Sequence, residues 1–430
     1  MTTTIAVGML GLGTVGSGVV MRLTQAARKI EQTQGLRLRL AAVAVHHLNA
    51  PRAVTLPIGT RLTDSIEAVV TDPKIQLVIE VMGTLKTAER AIVTALQHGK
   101  SVITANKDLM ATAGEQLTAL AQRQHCDLFY EASVAGGIPI LRTLTDSYAT
   151  DQVTAVAGII NGTANYILSA MTAGKTYSQA LAAAQRAGYA EADPTNDVGG
   201  LDTTYKLMIL SQFAFGQQLT IDQLAPQGIT QLTAEACQQA AQAGWQVKLL
   251  AQAQRFGDQL ACRVAPVAVP QTTALSQVKG VQNGVAVTSQ AIGDSLYTGP
   301  GAGSTATANS VLNDVIVAAQ QLVRQTCGRA FNQNHADLTV TRLADLSQRY
   351  LIFTDSSVLK LQRAANEGDF SLQRHTADCY ETSVLTTAQL RQLAVDLASD
   401  GRELTALPIA FSTVTTTTAI KTTQPVHVAI

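Results

Sequence analysis

Residues 4–16 read Thr4-Ile-Ala-Val-Gly-Met-Leu-Gly-Leu-Gly-Thr-Val-Gly16, a short apolar run closed by three glycines in the spacing G-x-G-x-x-G. The run Thr4–Leu10 is rich in β-formers and predicts a strand. Gly11, Gly13 and Gly16 predict a tight turn, and the following SGVVMRLTQAARKI repeats apolar residues at helical spacing. In a strand–turn–helix of this kind the first glycine makes the turn and the second lets backbone approach a pyrophosphate. The third packs helix on strand, and the backbone N–H groups around Thr14 and Val15 face the anion. A glycine turn serving only helix–sheet packing is the competing reading.

Outward from this unit the pattern alternates. A second strand, Leu38–Val45, runs into His46, His47 and, beyond them, Arg52. An acid at the end of this strand suits NAD, and a nearby cation suits the 2′-phosphate of NADP. No acid stands here, so the residues favour NADP, although the three are equally ordinary surface residues. Strands at Gln76–Met82, Ser101–Thr104 and Leu128–Tyr130 alternate with the helical TAERAIVTALQHG and GEQLTALAQRQ. Such alternation predicts an α/β fold with a doubly wound, Rossmann-type parallel sheet, and ligands bind beyond the carboxyl ends of its strands. Gly83-Thr84 and Asn106-Lys107 stand at those ends. By residue type alone Lys107 reads as a solvated loop lysine.

The 430 residues suffice for two or three domains, and the 31 basic and 31 acidic residues cancel. That balance gives no general attraction to nucleic acid or to acidic membranes. Five scattered cysteines form no CxxC pair and no metal-ligand spacing, which predicts buried thiols in a reducing compartment. No apolar run reaches membrane-spanning length and no basic segment precedes the first strand, so a cytoplasmic location is expected.

From about Ser133 the character changes. Glu131–Pro139 is glycine-rich, Val153–Ile160 reads as a strand, and Asn161-Gly162-Thr163 is a turn signature opening the helical ANYILSAMTAG. Then comes GYAEADPTNDVGGLDTTYK (188–206). Only 14% of the chain is charged, yet Glu191, Asp193, Asp197, Asp202 and Lys206 gather here. Pro194 and Gly199-Gly200 predict a loop over 188–200, followed by the helix LDTTYKLMILSQFAF. Asp202 and Lys206 are i,i+4 and share a face. One reading is a surface ion pair contributing about 0.3–0.5 kcal/mol. The other is a pocket for an amino substrate, with Glu191 and Asp197 accepting hydrogen bonds from an ammonium group and Lys206 tuned as acid or base.

These segments resemble the homoserine dehydrogenases. GYAEADPTNDVGGLDTTYK matches that family's substrate motif, and ITANK (103–107), YEASVAGGIPI (130–140), GIINGTANYIL (158–168) and GPGAGSTATANSV (299–311) stand in the family's order over roughly residues 1–345. The resemblance implies reversible, NADP- or NAD-dependent interconversion of L-homoserine and L-aspartate 4-semialdehyde in the threonine, methionine and isoleucine branch. It implies Lys206 and Lys107 as the lysines handling the hydroxyl or carbonyl proton, Asp202 beside Lys206 as the residue positioning substrate and lysine together, and Glu191 and Asp197 as the seat of the substrate amino group, with Gly162 and Thr163 nearby. Gly11, Gly13, Thr14, Val15, Gly16, His46, Arg52, Gly83, Thr84, Asn106, Lys107, Gly301 and Gly303 would line the cofactor. Glu131, Val134, Gly136 and Ile138 resemble the family's site for a monovalent cation, Na+ or K+, held mainly by backbone carbonyls. The helix after Gly303 would pack back on the first domain. A homodimer, possibly a tetramer, is the assembly implied.

The resemblance further implies three domains: a Rossmann domain over 1–133 completed by about 305–345, an α+β substrate and dimerisation domain over 134–304, and a small α+β domain over 346–430. The last reads strand, helix, strands, helix, strand, similar in order to a regulatory ACT domain. Its usual Arg-Pro-Gly-Val is replaced by Thr354-Asp-Ser-Ser-Val358, so a degenerate, ACT-like domain with weakened or absent threonine feedback is expected. The Thr-rich end, TVTTTTAIKTTQPVHVAI, reads as an edge strand and loose terminus. His46 stands where many members have Arg, Asn196 replaces a frequent Asp, Tyr205 a common Arg and Ala306 a usual Pro; none removes a proposed catalytic group.

Two rival functions remain. An acylating semialdehyde dehydrogenase needs an activated cysteine, and none of the five lies in a glycine-rich or His-containing motif. A nucleotide sensor with the same fold would not need both Lys107 and Lys206.

Overall fold

The computed structural model describes residues 2–398, 402 and 404–410. Contacts divide the chain into two units, the first holding residues up to 154, 205–219 and 283–337, the second 155–204, 220–282 and the described residues from 338 on.

The first unit begins with β1 (Thr3–Leu10), α1 (Thr14–Gln34), β2 (Leu36–Ala44), β3 (Arg61–Thr63), α2 (Glu67–Val70) and β4 (Leu77–Glu80). It continues with α3 (Lys86–Gln97), β5 (Ser101–Thr104), α4 (Lys107–Arg123), β6 (Leu128–Phe129) and, after a 3-10 turn at Glu131–Ser133, α5 (Ile140–Asp146). The six strands lie in the order β3-β2-β1-β4-β5-β6, all parallel. This is the doubly wound order whose reversal, between β1 and β4, opens the ligand crevice. The strands are short apolar runs because helices cover both faces: β4 and β5 are buried at every position. The expected strands agree with the observed ones to within two residues.

In chain order there follow β7 (Val153–Ile159), α6 (Gly162–Thr172), α7 (Tyr177–Arg186), α8 (Thr195–Val198), α9 (Leu201–Phe215), α10 (Ile221–Leu224) and α11 (Ala234–Gln242). Next come β8 (Trp245–Phe256), β9 (Gln259–Pro270), β10 (Gln282–Ser289), β11 (Gly293–Pro300) and α12 (Ser304–Arg324). Of these, β10, β11 and α12 belong to the first unit, where α12 packs along α1. In the second unit β7 pairs antiparallel with β8, and β8 with β9 over the whole length of a hairpin turned at Gly257-Asp258, with Gly257 at φ 59.

The chain ends in the second unit with β12 (Thr339–Arg342), β13 (Tyr350–Phe353), α13 (Val358–Glu367), β14 (Leu372–Arg374), β15 (Cys379–Thr382), α14 (Thr387–Ala398) and β16 (Thr405–Pro408). β12 adds to β9 in parallel. From β13 onward the order of elements is βαββαβ and the sheet order β14-β15-β13-β16, fully antiparallel, a ferredoxin-like arrangement. Its core is Tyr350, Ile352, Leu361, Tyr380, Leu385, Leu390, Leu393 and Leu397. It is joined to β9 by the Ala268–Ile409 bridge and by Arg263, whose buried guanidinium donates to Gln252 and to Gln348 at 2.7 Å. The Thr-rich end lies outside the described residues.

One expectation needs correction. Residues 188–200 are not all loop, because Thr195–Val198 form the single helical turn α8. Pro194 sits at its N-cap, where the missing N–H costs nothing, and Asp193 accepts from the Thr195 N–H at 3.1 Å.

Candidate active site

The glycine turn after β1 explains its own composition. Gly11 has φ +98, and a Cβ there would lie 2.7 Å from the Val81 carbonyl oxygen. A Cβ on Gly16 would lie 2.4 Å from the Gly11 carbonyl oxygen, so both positions require glycine for packing. Gly13 is different: nothing of the protein lies within 4 Å of its Cβ position. Internal packing therefore does not explain Gly13, whereas close approach of an outside group does. No side chain caps the N-terminus of α1 and no acid stands in its first turn, which leaves the N–H groups near Thr14 and Val15 to an anion. These residues fit a dinucleotide pyrophosphate.

Beyond β2, the His46 Nδ1 and His47 Nε2 lie 3.0 Å apart, and Arg52 donates to the carbonyls of Ala50 and His47, both at 2.9 Å. Arg52 thus folds its own loop back beside the exposed histidines and brings three candidate phosphate ligands into one short segment. Beyond β4 and β5, Asn106 donates from Nδ2 to the Thr84 carbonyl at 2.7 Å, and its Oδ1 accepts from the Leu109 N–H at 3.2 Å as the cap of α4. Gly83 has φ +71.

Lys107 is not a loop lysine. It is the first residue of α4, its ammonium is 3.2 Å from Asp108, and about two-thirds of its side chain is covered. A cation at a helix N-terminus opposes the macrodipole by about 0.3–1 kcal/mol, so stability does not explain its placement.

Gly301 and Gly303 precede α12. A Cβ on Gly301 would strike the Asn283 carboxamide, and Gly303 has φ +109 as N-cap. The Ser304 hydroxyl donates to the Thr14 carbonyl at 2.8 Å. The start of α12 is thereby held against the start of α1, beside the glycine turn, as the resemblance implies for this helix.

Glu131, Val134, Gly136 and Ile138 are all buried. Ala135 and Gly136 both have positive φ, 54 and 46, a local strain of order 1–2 kcal/mol at the alanine. The Glu131 carboxylate accepts the N–H groups of Leu141 and Arg142 at 2.8 and 2.7 Å, and its own N–H donates to Asp314 at 2.9 Å. Burial, with the Asp314 charge beside it, pushes the Glu131 carboxyl up to about 8. Burial pushes Asp314 up to about 6 against the Arg142 guanidinium, which is 2.6 Å away. Arg142 thus neutralises Asp314, and the Glu131 carboxyl, raised by burial and by Asp314, is tied to the start of α5, so a monovalent cation in the 131–138 segment would rest on backbone carbonyls. Among the described residues no group of three His, Cys, Asp or Glu is placed to hold a metal.

In the second unit the carboxylates converge on a residue that sequence reading took only for a turn. The Asn161 carboxamide donates to Asp197 Oδ1 at 2.7 Å and to Asp202 Oδ2 at 2.8 Å. Its oxygen accepts the Ala164 N–H at 2.8 Å, capping α6. Asn161 is 5% exposed and Asp202 8% exposed. A Cβ on Gly162 would lie 2.7 Å from the Val281 carbonyl oxygen, and the Thr163 hydroxyl donates to the Tyr189 carbonyl at 2.5 Å. Thr163 therefore fixes the start of the segment bearing Glu191, whose side chain is exposed. The structure thus brings Asp197, Asp202 and Asn161 together and leaves Glu191 on the surface of its loop.

Helix α9 carries Asp202 in its first turn and Lys206 one turn later. Leu207, Ile209, Leu210 and Phe213 on this helix are buried and Lys206 is half-buried. A second residue missed by sequence reading is Glu80, fully buried at the end of β4; its only signal was a lone carboxylate closing an apolar strand.

The thiols are poor nucleophiles. Burial pushes Cys126 up to about 11 and Cys237, Cys262, Cys327 and Cys379 up to about 12. Cys327 is half-buried and the others are buried. Acylating chemistry through a thiolate has no candidate among them.

The model of the homoserine dehydrogenase family matches residues 139–316, and that of the homoserine dehydrogenase NAD-binding domain matches residues 11–131. Homoserine dehydrogenase of Lactococcus lactis is 38% identical over 351 residues, 81% of this chain and 82% of its own length. That of Bacillus subtilis is 41% identical over 328 residues, 76% of each. The crystal structure of a homoserine dehydrogenase from Thiobacillus denitrificans superposes with a TM-score of 0.87 at 33% identity, covering 95% of this chain and 98% of that one. With a dinucleotide crevice, a lysine one helical turn from a tethered aspartate, and relatives of this likeness over most of its length, the chain belongs to the homoserine dehydrogenase family, NAD(P)-dependent oxidoreductases.

Proposed function

We propose that the chain interconverts L-homoserine and L-aspartate 4-semialdehyde with Lys206 as the group that moves the proton at the substrate oxygen. The observation that carries this is the Asn161 carboxamide tethering both Asp197 and Asp202. Such a tether fixes Asp202 on α9 one turn from Lys206. Asp202 orients the Lys206 ammonium, which stabilises the negative charge developing on the aldehyde oxygen and then donates a proton to it. In the oxidative direction the same amine accepts the hydroxyl proton. Lys107 is the second lysine on that proton path. Asp197 and Glu191 accept hydrogen bonds from the substrate ammonium, with Gly162 and Thr163 shaping the turn beside it. The bound nicotinamide supplies or takes up the hydride.

The cofactor reading rests on Gly11, Gly13, Gly16, Gly83, Thr84, Asn106, Gly301 and Gly303, and the absence of an acid after β2, with His46 and Arg52 there, favours NADP over NAD. Glu131, Val134, Gly136 and Ile138 form a candidate Na+ or K+ site that orders the 131–138 segment. The three-domain division drawn from the sequence stands as part of this proposal, as do a homodimeric or tetrameric assembly, a cytoplasmic location and a role in threonine and methionine biosynthesis. The βαββαβ order from β13 onward supports an ACT-like domain, and Thr354-Asp-Ser-Ser-Val358 in place of Arg-Pro-Gly-Val supports its being degenerate, with weakened or absent threonine feedback.

Following the absorbance of reduced nicotinamide tests the function. L-Aspartate 4-semialdehyde should oxidise NADPH faster than NADH, and L-homoserine should reduce the oxidised cofactor. Nucleotide binding without turnover of either substrate would reject the proposal in favour of a sensor. Strong inhibition by submillimolar threonine would reject the reading of the C-terminal domain.

A further inference from the structure

Glu80 is a carboxylate with no exposed surface, closing an otherwise apolar strand. Burial raises its carboxyl above the usual carboxylate range, and only hydrogen bonds from Thr104, Met82 and Asn106 act in the opposite direction. An ionisable group in such surroundings weakens the fold unless its bonds are used, and each of these bonds leads to a loop. Oε1 accepts the Met82 N–H at 2.7 Å and so sets the turn leading to Gly83 and Thr84. Oε2 accepts the Thr104 hydroxyl at 2.6 Å across the β4–β5 register, in which Glu80 and Thr104 are partners. The Thr104 hydroxyl oxygen in turn accepts the Asn106 N–H at 3.0 Å, and the Asn106 side chain closes the circuit on the Thr84 carbonyl at 2.7 Å. Leu109 N–H on Asn106 Oδ1 then fixes the first turn of α4, where Lys107 stands. The turn after β4 also supports the glycine loop, since the Val81 carbonyl fills the space a Gly11 side chain would need.

We propose that Glu80 is a positioning residue that, through Thr104, sets the Gly83–Thr84 and Asn106–Lys107 loops for the nicotinamide half of the cofactor. This rests on the cofactor reading above. The adenosine and pyrophosphate half is held from the Gly11–Gly16 turn and the end of β2, which this circuit touches only through Val81. Losing the circuit therefore separates two affinities that a general loss of folding would lower together.

The test uses Thr104→Val, Thr104→Ser and Glu80→Gln in the full chain. Calorimetry measures affinity for the reduced cofactor the wild type turns over, NADPH or NADH, and for the matching nicotinamide-free ADP-ribose. Thr104→Val keeps the side-chain shape and removes both bonds of the hydroxyl. It should weaken the intact cofactor and lower kcat at least tenfold, while ADP-ribose affinity stays within twofold and KM for homoserine is little changed. Thr104→Ser restores the hydroxyl and should restore both values. Glu80→Gln should follow Thr104→Val and serves if that variant does not fold. An unchanged affinity for the intact cofactor in both variants overturns the proposal, and so does a parallel loss of ADP-ribose affinity. A wild type that binds no nicotinamide cofactor would instead sink the cofactor reading itself.

Discussion

Asn161 donates a hydrogen bond to Asp202 at 2.8 Å while its second donation, at 2.7 Å, goes to Asp197. One amide thus holds two carboxylates that would otherwise repel, and its oxygen still caps α6. Asn161→Asp keeps an acceptor suited to the cap but replaces the two donors by a third negative charge. Removing one partner of buried charged hydrogen bonds costs about 2–5 kcal/mol; if that loss falls on the transition state, kcat/KM for homoserine should drop at least about 30-fold, with the circular dichroism spectrum unchanged. Asn161→Ser, which caps without bridging, should lose about tenfold. Steady-state kinetics of the two variants decides this, and wild-type rates for Asn161→Asp would remove the tether from the mechanism.

The site was legible where chemistry and local structure coincide, and obscure where a residue serves two elements. Asp202 and Lys206 declare themselves by i,i+4 spacing. Asn161 reads as an ordinary helix cap, because its partners Asp197 and Asp202 lie 36 and 41 residues further along the chain. The Rossmann sheet was legible because both its faces are buried, so that strands such as Leu77–Glu80 are unbroken apolar runs apart from Glu80. Strands β8 and β9 were not legible: Lys248, Gln252 and Arg263 interrupt their pattern although all three are buried. Their side chains hydrogen-bond to other buried groups, and no local rule of alternation anticipates that.

Lys206→Ala should lower kcat by about 10²–10⁴-fold, the usual contribution of a positioned acid–base group, and leave cofactor affinity within twofold of wild type. Lys206→Arg should not restore turnover, because a guanidinium does not release its proton in this range. Calorimetry with the cofactor and initial rates in both directions provide the check. Turnover retained in Lys206→Ala would take this lysine out of the chemistry.

Gly18 and Gly13 make a pair that separates packing from binding. A Cβ on Gly18 would lie 2.4 Å from the Ser304 carbonyl oxygen, so Gly18→Ala must push α12 away from α1. Alanine is the better helix former by about 1 kcal/mol; a net loss of about 1–3 kcal/mol, seen as a lower Tm, would therefore report the helix contact itself. Gly13→Ala meets no protein atom within 4 Å. It should leave Tm unchanged and weaken the cofactor, as measured by calorimetry. Equal effects of the two variants on Tm would contradict this division.

Lys248 supplies a pH signature for the second unit. Its ammonium is 2% exposed and donates to Asn165 Oδ1 at 2.9 Å and to the Val278 carbonyl at 2.6 Å. Asn165 in turn donates to the Val278 and Gly280 carbonyls, at 3.2 and 2.9 Å, so the pair holds this loop against α6. Burial, with Lys279 adding to it, pulls the Lys248 amine down to about 8 from its ordinary value of 10.5. A lowered folded value means that the unfolded chain binds this proton more tightly. The amine's contribution to stability is then fully present above about 10.5 and is lost as pH falls through about 8. Relative to Lys248→Met, which has no proton to bind, the wild type should gain urea resistance from pH 7 to pH 10. One pKa unit corresponds to about 1.4 kcal/mol, so the midpoint difference between the two proteins should move well outside measurement error over that interval. A difference that stays constant with pH would show that the Lys248 amine titrates alike in the folded and unfolded chains.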